Sequence, residues 1–339
     1  MKMSCIPTSA ASLWYSVALK APRGDQTHTF WSSNRGGSSP VTIINTWLSD
    51  VFTHTQQTWD GYVYYNDQLP EDASEASFLN GITNDGHCKG IVVWNTQAIG
   101  WLIHSIPRFP MPVKFDPTKT TVSENQLVYG QSAIYIEIPR MRDTLDDVLI
   151  QLSTMQAQIY DYSGLSPSII DSMQRIYSSK AIQTNQFIIP SHQMNSWMYK
   201  LRRTNHRRYI THIAKPNKCI YDIYETIVAK TDKGVAIPLV CETWQNGSGK
   251  KTPNAPSVTN LHSIGNKWDS TTDHSKWAIS MPYIHHGWFK THMKNDWRVF
   301  IGDLNRMNSQ HSRGGGGVII DGDKELWEWF YNHVFGTSS

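Results

Sequence analysis

Two tripeptides of one form, His87-Cys88-Lys89 and His274-Ser275-Lys276, constrain this chain more than any other feature, because each stands at the start of a strand-like segment. After the first come residues 90–94, a turn at 95–98 and residues 100–104, two apolar runs that read as a hairpin with the triplet at its entrance. After the second come residues 277–279 and then residues 298–301, which run into Gly302-Asp303-Leu304-Asn305-Arg306. Such recurrence is a weak internal duplication, and it asks for a fold with two similar halves. A strand alternates its side chains, so the histidine and lysine of each triplet project from one face and the middle residue points away.

The rest of the chain fits an α/β protein. Strands are expected at residues 13–19, 61–66 and 131–138, and apolar residues at helical spacing mark helices at 41–51 and 140–160. Polar composition marks a loop at 22–40. In the second half, strands are expected at 186–190, 220–228 and 235–242, a loop at 246–260, a Gly-rich turn at 313–317, and an amphipathic segment through Trp327 to Phe330. A chain of 339 residues is long enough for about two domains, and a division into residues 1–160 and 161–339 gives each unit one triplet.

With 39% hydrophobic and 17% charged residues the chain is globular. Its formal charge of +3 excludes a generic polycation, although 14 histidines would add positive charge in acid. Basic residues crowd at Arg202, Arg203, His206, Arg207 and Arg208. Such a run is commonly a solvated face and is also how a phosphate-backbone contact looks in sequence. The four scattered cysteines, Cys5, Cys88, Cys219 and Cys241, suit neither a disulfide scaffold nor a paired zinc motif. No run of about 18 apolar residues could span a bilayer, and residues 1–20 lack a sustained apolar leader segment.

One imidazole and one ammonium on a common face suit a phosphodiester. The lysine neutralises non-bridging oxygens, while the imidazole attacks phosphorus or moves a proton. Two such pairs facing one another would supply a metal-free displacement. A lone triplet of this form arises easily by chance, so the surrounding residues decide its weight.

Those surroundings resemble the deoxyribonuclease II family of acid endonucleases. The similarity runs in collinear order through Trp14-Tyr15-Ser16-Val17 with Lys20, Tyr64-Tyr65-Asn66-Asp67-Gln68, His87-Cys88-Lys89-Gly90, Gly100-Trp101-Leu102-Ile103-His104-Ser105-Ile106-Pro107 and Tyr129-Gly130-Gln131. It continues through Asp273-His274-Ser275-Lys276-Trp277, Gly302-Asp303-Leu304-Asn305-Arg306 and Arg313-Gly314-Gly315-Gly316. The resemblance implies a phospholipase D-like fold: two pseudo-symmetric α/β lobes, each with a central mixed β-sheet flanked by helices, and an active site at their interface.

It also implies His87 and His274 as the catalytic pair, Lys89 and Lys276 as phosphate-binding lysines, and His104 as a histidine linked to activity. Asn305 and Gln131 are supporting candidates, and Arg202, Arg203, Arg207, Arg208 and Arg313 are candidate backbone contacts. By analogy His87 would form a phosphohistidine and His274 would protonate the departing 5′ oxygen, leaving 3′-phosphate ends. The substrate implied is double-stranded DNA, with no metal, no cofactor and no membrane partner. A homodimer is the oligomeric candidate, and a secreted or acidic compartment is the setting suggested.

Three departures stand out. Ala278, Phe300 and Ile320 lie at or near positions where animal relatives carry cysteines, Asn95 replaces a common aspartate, and Cys88 replaces a common threonine. Rival readings are a phospholipase D-type lipid phosphodiesterase, a metal-dependent nuclease using His262, His274, His285, His286 and Asp273, and an inactive DNA-binding relative. Against the first, Trp94 and Met281 occupy the fifth positions after Lys89 and Lys276, where the lipid-enzyme pattern has aspartate.

Overall fold

A computed structural model describes residues 13–32, 37–54, 58–70, 86–110, 116, 120–140, 144–166, 169, 195–203, 206–229, 234, 236–245, 254–261, 263–264, 268–281 and 297–336. Their strands form an eight-stranded sheet, a seven-stranded sheet and a two-stranded ribbon.

The first sheet runs β3 (Gly37–Ile43), β2 (Gln26–Trp31), β1 (Trp14–Lys20), β7 (Gln131–Pro139), β6 (Ala98–His104), β5 (Lys89–Trp94), β4 (Gly61–Asn66), β8 (Ile159–Ser163). The second runs β12 (Val258–Asn260), β11 (Leu239–Thr243), β15 (Lys276–Ser280), β16 (Arg298–Gly302), β17 (Gly315–Asp321), β10 (His206–Lys215), β9 (Asn195–Arg203). The ribbon pairs β13 (Ser263–Ile264) with β14 (Trp268–Asp269). Only β11 and β12 pair in parallel among the described strands, so the second sheet is mixed as expected and the first is antiparallel throughout.

Strands β1, β4, β5 and β6 are buried along their whole length, which explains their apolar, aromatic-rich sequences on both faces. Alternate residues serve different cores. On β1, Tyr15, Val17 and Leu19 join a central core, while Trp14 and Ala18 pack under α1 (Ile44–Thr53). The central core lies between the sheets. It joins Ile134 and Ile136 of β7 to Trp277 and Ile279 of β15, together with Leu149 and Leu152 of α2 (Thr144–Met155) and Leu326 and Phe330 of α4 (Lys324–Phe335). Beyond the second sheet, Ala278, Phe300 and Ile319 pack on Ile223 and Tyr224 of the one-turn helix α3 (Ile223–Thr226).

Several sequence expectations are corrected. Strands β2 and β3 occupy much of the span that polar composition marks as a loop, because β2 pairs along β1 and β3 along β2. The helix expected at 140–160 ends at Met155; Gln156 has φ +56°, and the chain turns into β8 against β4. Residues 223–226 form a helical turn rather than a strand, capped by the Asp222 carboxylate accepting from Tyr224 N at 2.9 Å. The Gly-rich run opens β17 instead of forming a turn: a Cβ on Gly317 would collide with the Ile301 carbonyl and the Phe300 ring, so close strand approach requires the missing side chain. The strand expected at 186–190 and much of the loop expected at 246–260 lie outside the described residues. Among the described residues, no helix is long and apolar enough to cross a membrane.

Candidate active site

The two triplets meet because each is tied to the opposite sheet's half of the chain. Gly86, just before the first triplet, forms a parallel bridge with Gly314, just before β17; Asp273, just before the second, forms one with Gly130, just before β7. His87 N donates to Gly314 O at 2.8 Å, and His274 N donates to Gly130 O at 2.8 Å. Lys276 N then donates to Ser132 Oγ of β7 at 2.9 Å. These exchanges bring both lysines within electrostatic reach of both histidines.

Around the first triplet a buried carboxylate gathers the charges. Asp67 follows β4 directly, and β4 places Asn66 opposite Lys89. Its Oδ1 pairs with Lys89 Nζ, its Oδ2 lies 3.2 Å from Arg313 Nη2, and His87 Nε2 is 3.9 Å from Oδ2. Burial alone would raise the Asp67 pKa, but Lys89, His87 and Arg313 outweigh it and hold the carboxyl well below its usual range. His87 Nδ1 sits 2.5 Å from the Asp303 carbonyl oxygen. A carbonyl can only accept, so Nδ1 carries the hydrogen and the neutral ring keeps its lone pair on Nε2. Burial and then the Lys89 cation push the His87 pKa well down, with Asp67 opposing them.

The second triplet has different neighbours. The His274 ring is stacked on Tyr129, with centroids 4.3 Å apart and planes at 17°, and Trp244 lies 4.4 Å away on a tilted plane. Its Nε2 is buried and makes no hydrogen bond among the described residues. Burial, Lys276 and Lys89 lower its pKa to about 3. Lys276 Nζ donates to the His274 carbonyl at 2.7 Å, and burial, then Lys89, brings its pKa down to about 7. Asp273 accepts from Ser275 N at 2.9 Å and from Ser275 Oγ at 2.8 Å, which shapes the turn into the triplet.

The supporting candidates converge with unequal roles. His104, fully buried, accepts from Ile106 N through Nδ1 at 3.1 Å, so its neutral ring carries the hydrogen on Nε2. Gln131 accepts from Ser105 Oγ at 2.5 Å. Among the described residues, His104 Nε2, Gln131 Nε2 and both polar atoms of the Asn305 side chain are buried without hydrogen-bond partners. Buried polar atoms are normally satisfied, so unsatisfied ones on residues next to the strands that carry the triplets suit a ligand site. Arg313 is engaged with Asp67 and with the Gly86 carbonyl at 3.3 Å.

The remaining arginines are not brought to the histidines. Arg202 and Arg203 end β9, and Arg207 and Arg208 begin β10, at the opposite end of that hairpin from Lys215 and Gly315. At about 3.3 Å per residue in a strand, Arg208 lies roughly 20 Å along β10 from Lys215. Of the metal-ligand candidates, His262, His285 and His286 lie outside the described residues.

Asp67, Tyr129, Trp244 and Asp303 are functional candidates that the sequence reading assigned no role. A carboxylate at the end of the strand that neighbours the first triplet was the available signal for Asp67. Tyr129 stands in a motif that carries the family resemblance and Trp244 in none, and the contacts of both with His274 join distant parts of the chain.

Residues 24–339 match the family model described as Deoxyribonuclease II. The chain is 25% identical over 315 residues to cell-death-related nuclease 7 of Caenorhabditis elegans, covering 90% of this chain and 75% of the relative. It is 27% identical over 300 residues to plancitoxin-1 of Acanthaster planci, covering 85% and 73%. Mouse deoxyribonuclease-2-beta is 30% identical over 275 residues, covering 78% and 67%.

Proposed function

The chain belongs to the deoxyribonuclease II family, and on that premise we propose that it hydrolyses double-stranded DNA without a metal, through a phosphohistidine on His87. The observation that carries this assignment is the Nδ1 contact between His87 and the Asp303 carbonyl, which leaves the Nε2 lone pair free to attack. In the first step His87 Nε2 bonds to phosphorus, the bond to the 5′ oxygen breaks, and His274 gives that oxygen its proton. In the second, His274 takes a proton from water, the water oxygen bonds to phosphorus, and the phosphorus–nitrogen bond breaks to leave a 3′-phosphate. Lys89 and Lys276 neutralise the non-bridging oxygens, while His104 Nε2–H, Gln131 Nε2 and Asn305 supply hydrogen bonds.

Acid dependence follows from the charges. Burial and then the lysine cations depress both imidazoles, and the negative charge of a phosphodiester would oppose the lysines, so His274 gains its proton together with substrate. The two halves, residues 1–160 and 161–339, are read as pseudo-symmetric lobes of a phospholipase D-like fold. Support comes from sheet order: β1-β7-β6-β5-β4 in the first sheet corresponds, in both position and chain order, to β10-β17-β16-β15-β11 in the second.

The test is plasmid nicking across pH, with and without EDTA, for wild type, His87→Ala and His274→Ala. Wild type should work best below neutrality and be indifferent to EDTA, while both variants should be inactive. Loss of cleavage on chelation would sink the metal-free mechanism, and full activity of both variants would sink the site.

A further inference from the structure

Two buried lysines outside the triplets hold the loops through which each half reaches the other half's histidine. Lys20 ends β1 opposite Gln131, and Lys215 ends β10 opposite Gly315. Both are 1% exposed. Lys20 Nζ spends its three hydrogens on backbone carbonyls, those of Ala21, Gly24 and Leu127, each at 2.7 Å. Lys215 Nζ donates to the carbonyls of His311 at 2.8 Å and Arg313 at 2.7 Å.

The surroundings repeat as well. Three residues beyond each lysine the backbone turns left-handed, at Arg23 with φ +58° and at Lys218 with φ +63°. That turn docks on the same clasped loop: Arg23 N donates to Val128 O at 3.1 Å, and Lys218 N to Ser312 O at 2.6 Å. Each loop contains one 3₁₀ turn, Glu124–Gln126 or Asn308–Gln310, and ends on the glycine that bridges to the opposite triplet. Just before that glycine stands the residue that touches the opposite half's site. Tyr129 stacks on His274, and Arg313 reaches Asp67, which binds Lys89 and faces His87.

We infer that Lys20 and Lys215 are crossed positioning residues: Lys20, in the first half, sets the ring of His274 through the Tyr129 loop, and Lys215, in the second half, sets His87 through the Arg313 loop. An ammonium is well suited to this task because it gathers several carbonyls from different loop residues at one point, where a single backbone N–H satisfies only one. The consequence for the proposed reaction, on which this assignment rests, is that nucleophile and acid are each aligned by the half of the chain that does not carry them. A misplacement of about 1 Å in such a group costs on the order of 100-fold in rate.

The crossing is testable without turnover. Histidine-labelled protein, free of DNA, is observed by NMR, with His87 and His274 assigned from His87→Gln and His274→Gln. Lys20→Met should move the His274 ring resonances and leave His87 in place; Lys215→Met should do the reverse. In nicking assays each should lower kcat by roughly 100-fold with a much smaller change in KM. Lys20→Arg and Lys215→Arg, which keep the charge but alter the reach, provide the same readout if the methionine variants do not fold. Shifts at the near-side histidine, or equal shifts at both, would overturn the assignment, as would failure of all four variants to fold, which would make the lysines plain scaffolding. Crossed shifts in a protein that does not cut DNA would leave the positioning intact and remove the nuclease.

Discussion

Asp67→Asn removes one charge from the site while keeping size and a hydrogen-bond acceptor, so it isolates what the carboxylate does. The Asp67 side chain is 5% exposed and its partner Lys89 3%, whereas Arg313 is 24% exposed. Removing one partner of a buried ion pair typically costs ~3–5 kcal/mol, because the other charge stays buried without compensation. Arg313 can turn toward water, so its share is that of a surface pair, about 0–1 kcal/mol. The asparagine oxygen still accepts from Lys89. A deficit of about 3 kcal/mol is therefore expected at neutral pH.

Its pH dependence has a definite sign. The folded-state pKa of Asp67 is depressed below the ordinary 3.8, so its contribution is fully present above that value and is lost as pH falls through the folded value. Urea unfolding of DNA-free protein at pH 7, 5 and 3 should show equal deficits for the variant at the first two and a smaller one at the third, with an unchanged slope. A deficit below about 1 kcal/mol at pH 7, or one that grows between pH 5 and 3, would refute the anchoring role of this carboxylate.

Three further outcomes are expected. Lys276 is an ammonium only below about pH 7, so binding of a short DNA duplex to His87→Ala protein should weaken from pH 6 to 8.5, and Lys276→Arg should flatten that trend; an identical decline in both proteins would assign it elsewhere. Glu242 is buried with neither oxygen hydrogen-bonded among the described residues, and burial raises its pKa from 4.5 to about 10, so the folded chain keeps a proton that the unfolded chain releases above 4.5. Stability should fall with rising pH across that window by up to about 1.4 kcal/mol per unit, and Glu242→Gln should match wild type near pH 4 while melting higher at pH 7; a pH-independent difference would rule this out. A Cβ at position 130 would collide with the Asp273 carboxyl, so Gly130→Ala should reduce nicking while leaving the far-UV spectrum unchanged; wild-type activity would mean that the bridge at Gly130 does not set His274.

The parts legible in sequence are those with strong local pattern. Strand β4 has its expected bounds, the β5–β6 hairpin lies on its expected core, and the triplet opening β15 sits at a strand entrance. These strands are central and apolar, so period and composition agree. Strand β2 was hidden because His28, Thr27 and Thr29 read as loop residues; its identity comes from pairing with β1, a tertiary fact. The basic residues of β9 and β10 lie at the hairpin end away from Lys215, a placement that charge density alone does not reveal. The two histidines and two lysines proposed to act on phosphate stand out in the sequence as motifs, whereas the residues that surround them do not. Asp67 and Tyr129 acquire meaning only when Arg313 and His274 arrive from the other half.

That division has a chemical reason. A displacement of this kind needs one imidazole neutral and the other protonated, so a duplicated frame must break its own symmetry at the two rings. In the proposed two-lobed frame the lysine clasps are alike, and the difference is made by the last side chain of each clasped loop. Arginine and a buried carboxylate surround His87, while flat aromatic faces enclose His274. The aromatic faces exclude water without supplying a counter-charge, which leaves the proton affinity of His274 under the control of what fills the site. Linkage makes the dependence mutual: whatever factor a bound phosphodiester adds to the proton affinity of His274, a proton on His274 adds to the affinity for phosphodiester. For the proposed nuclease, rising pH should therefore first weaken substrate capture and only later slow the bound complex.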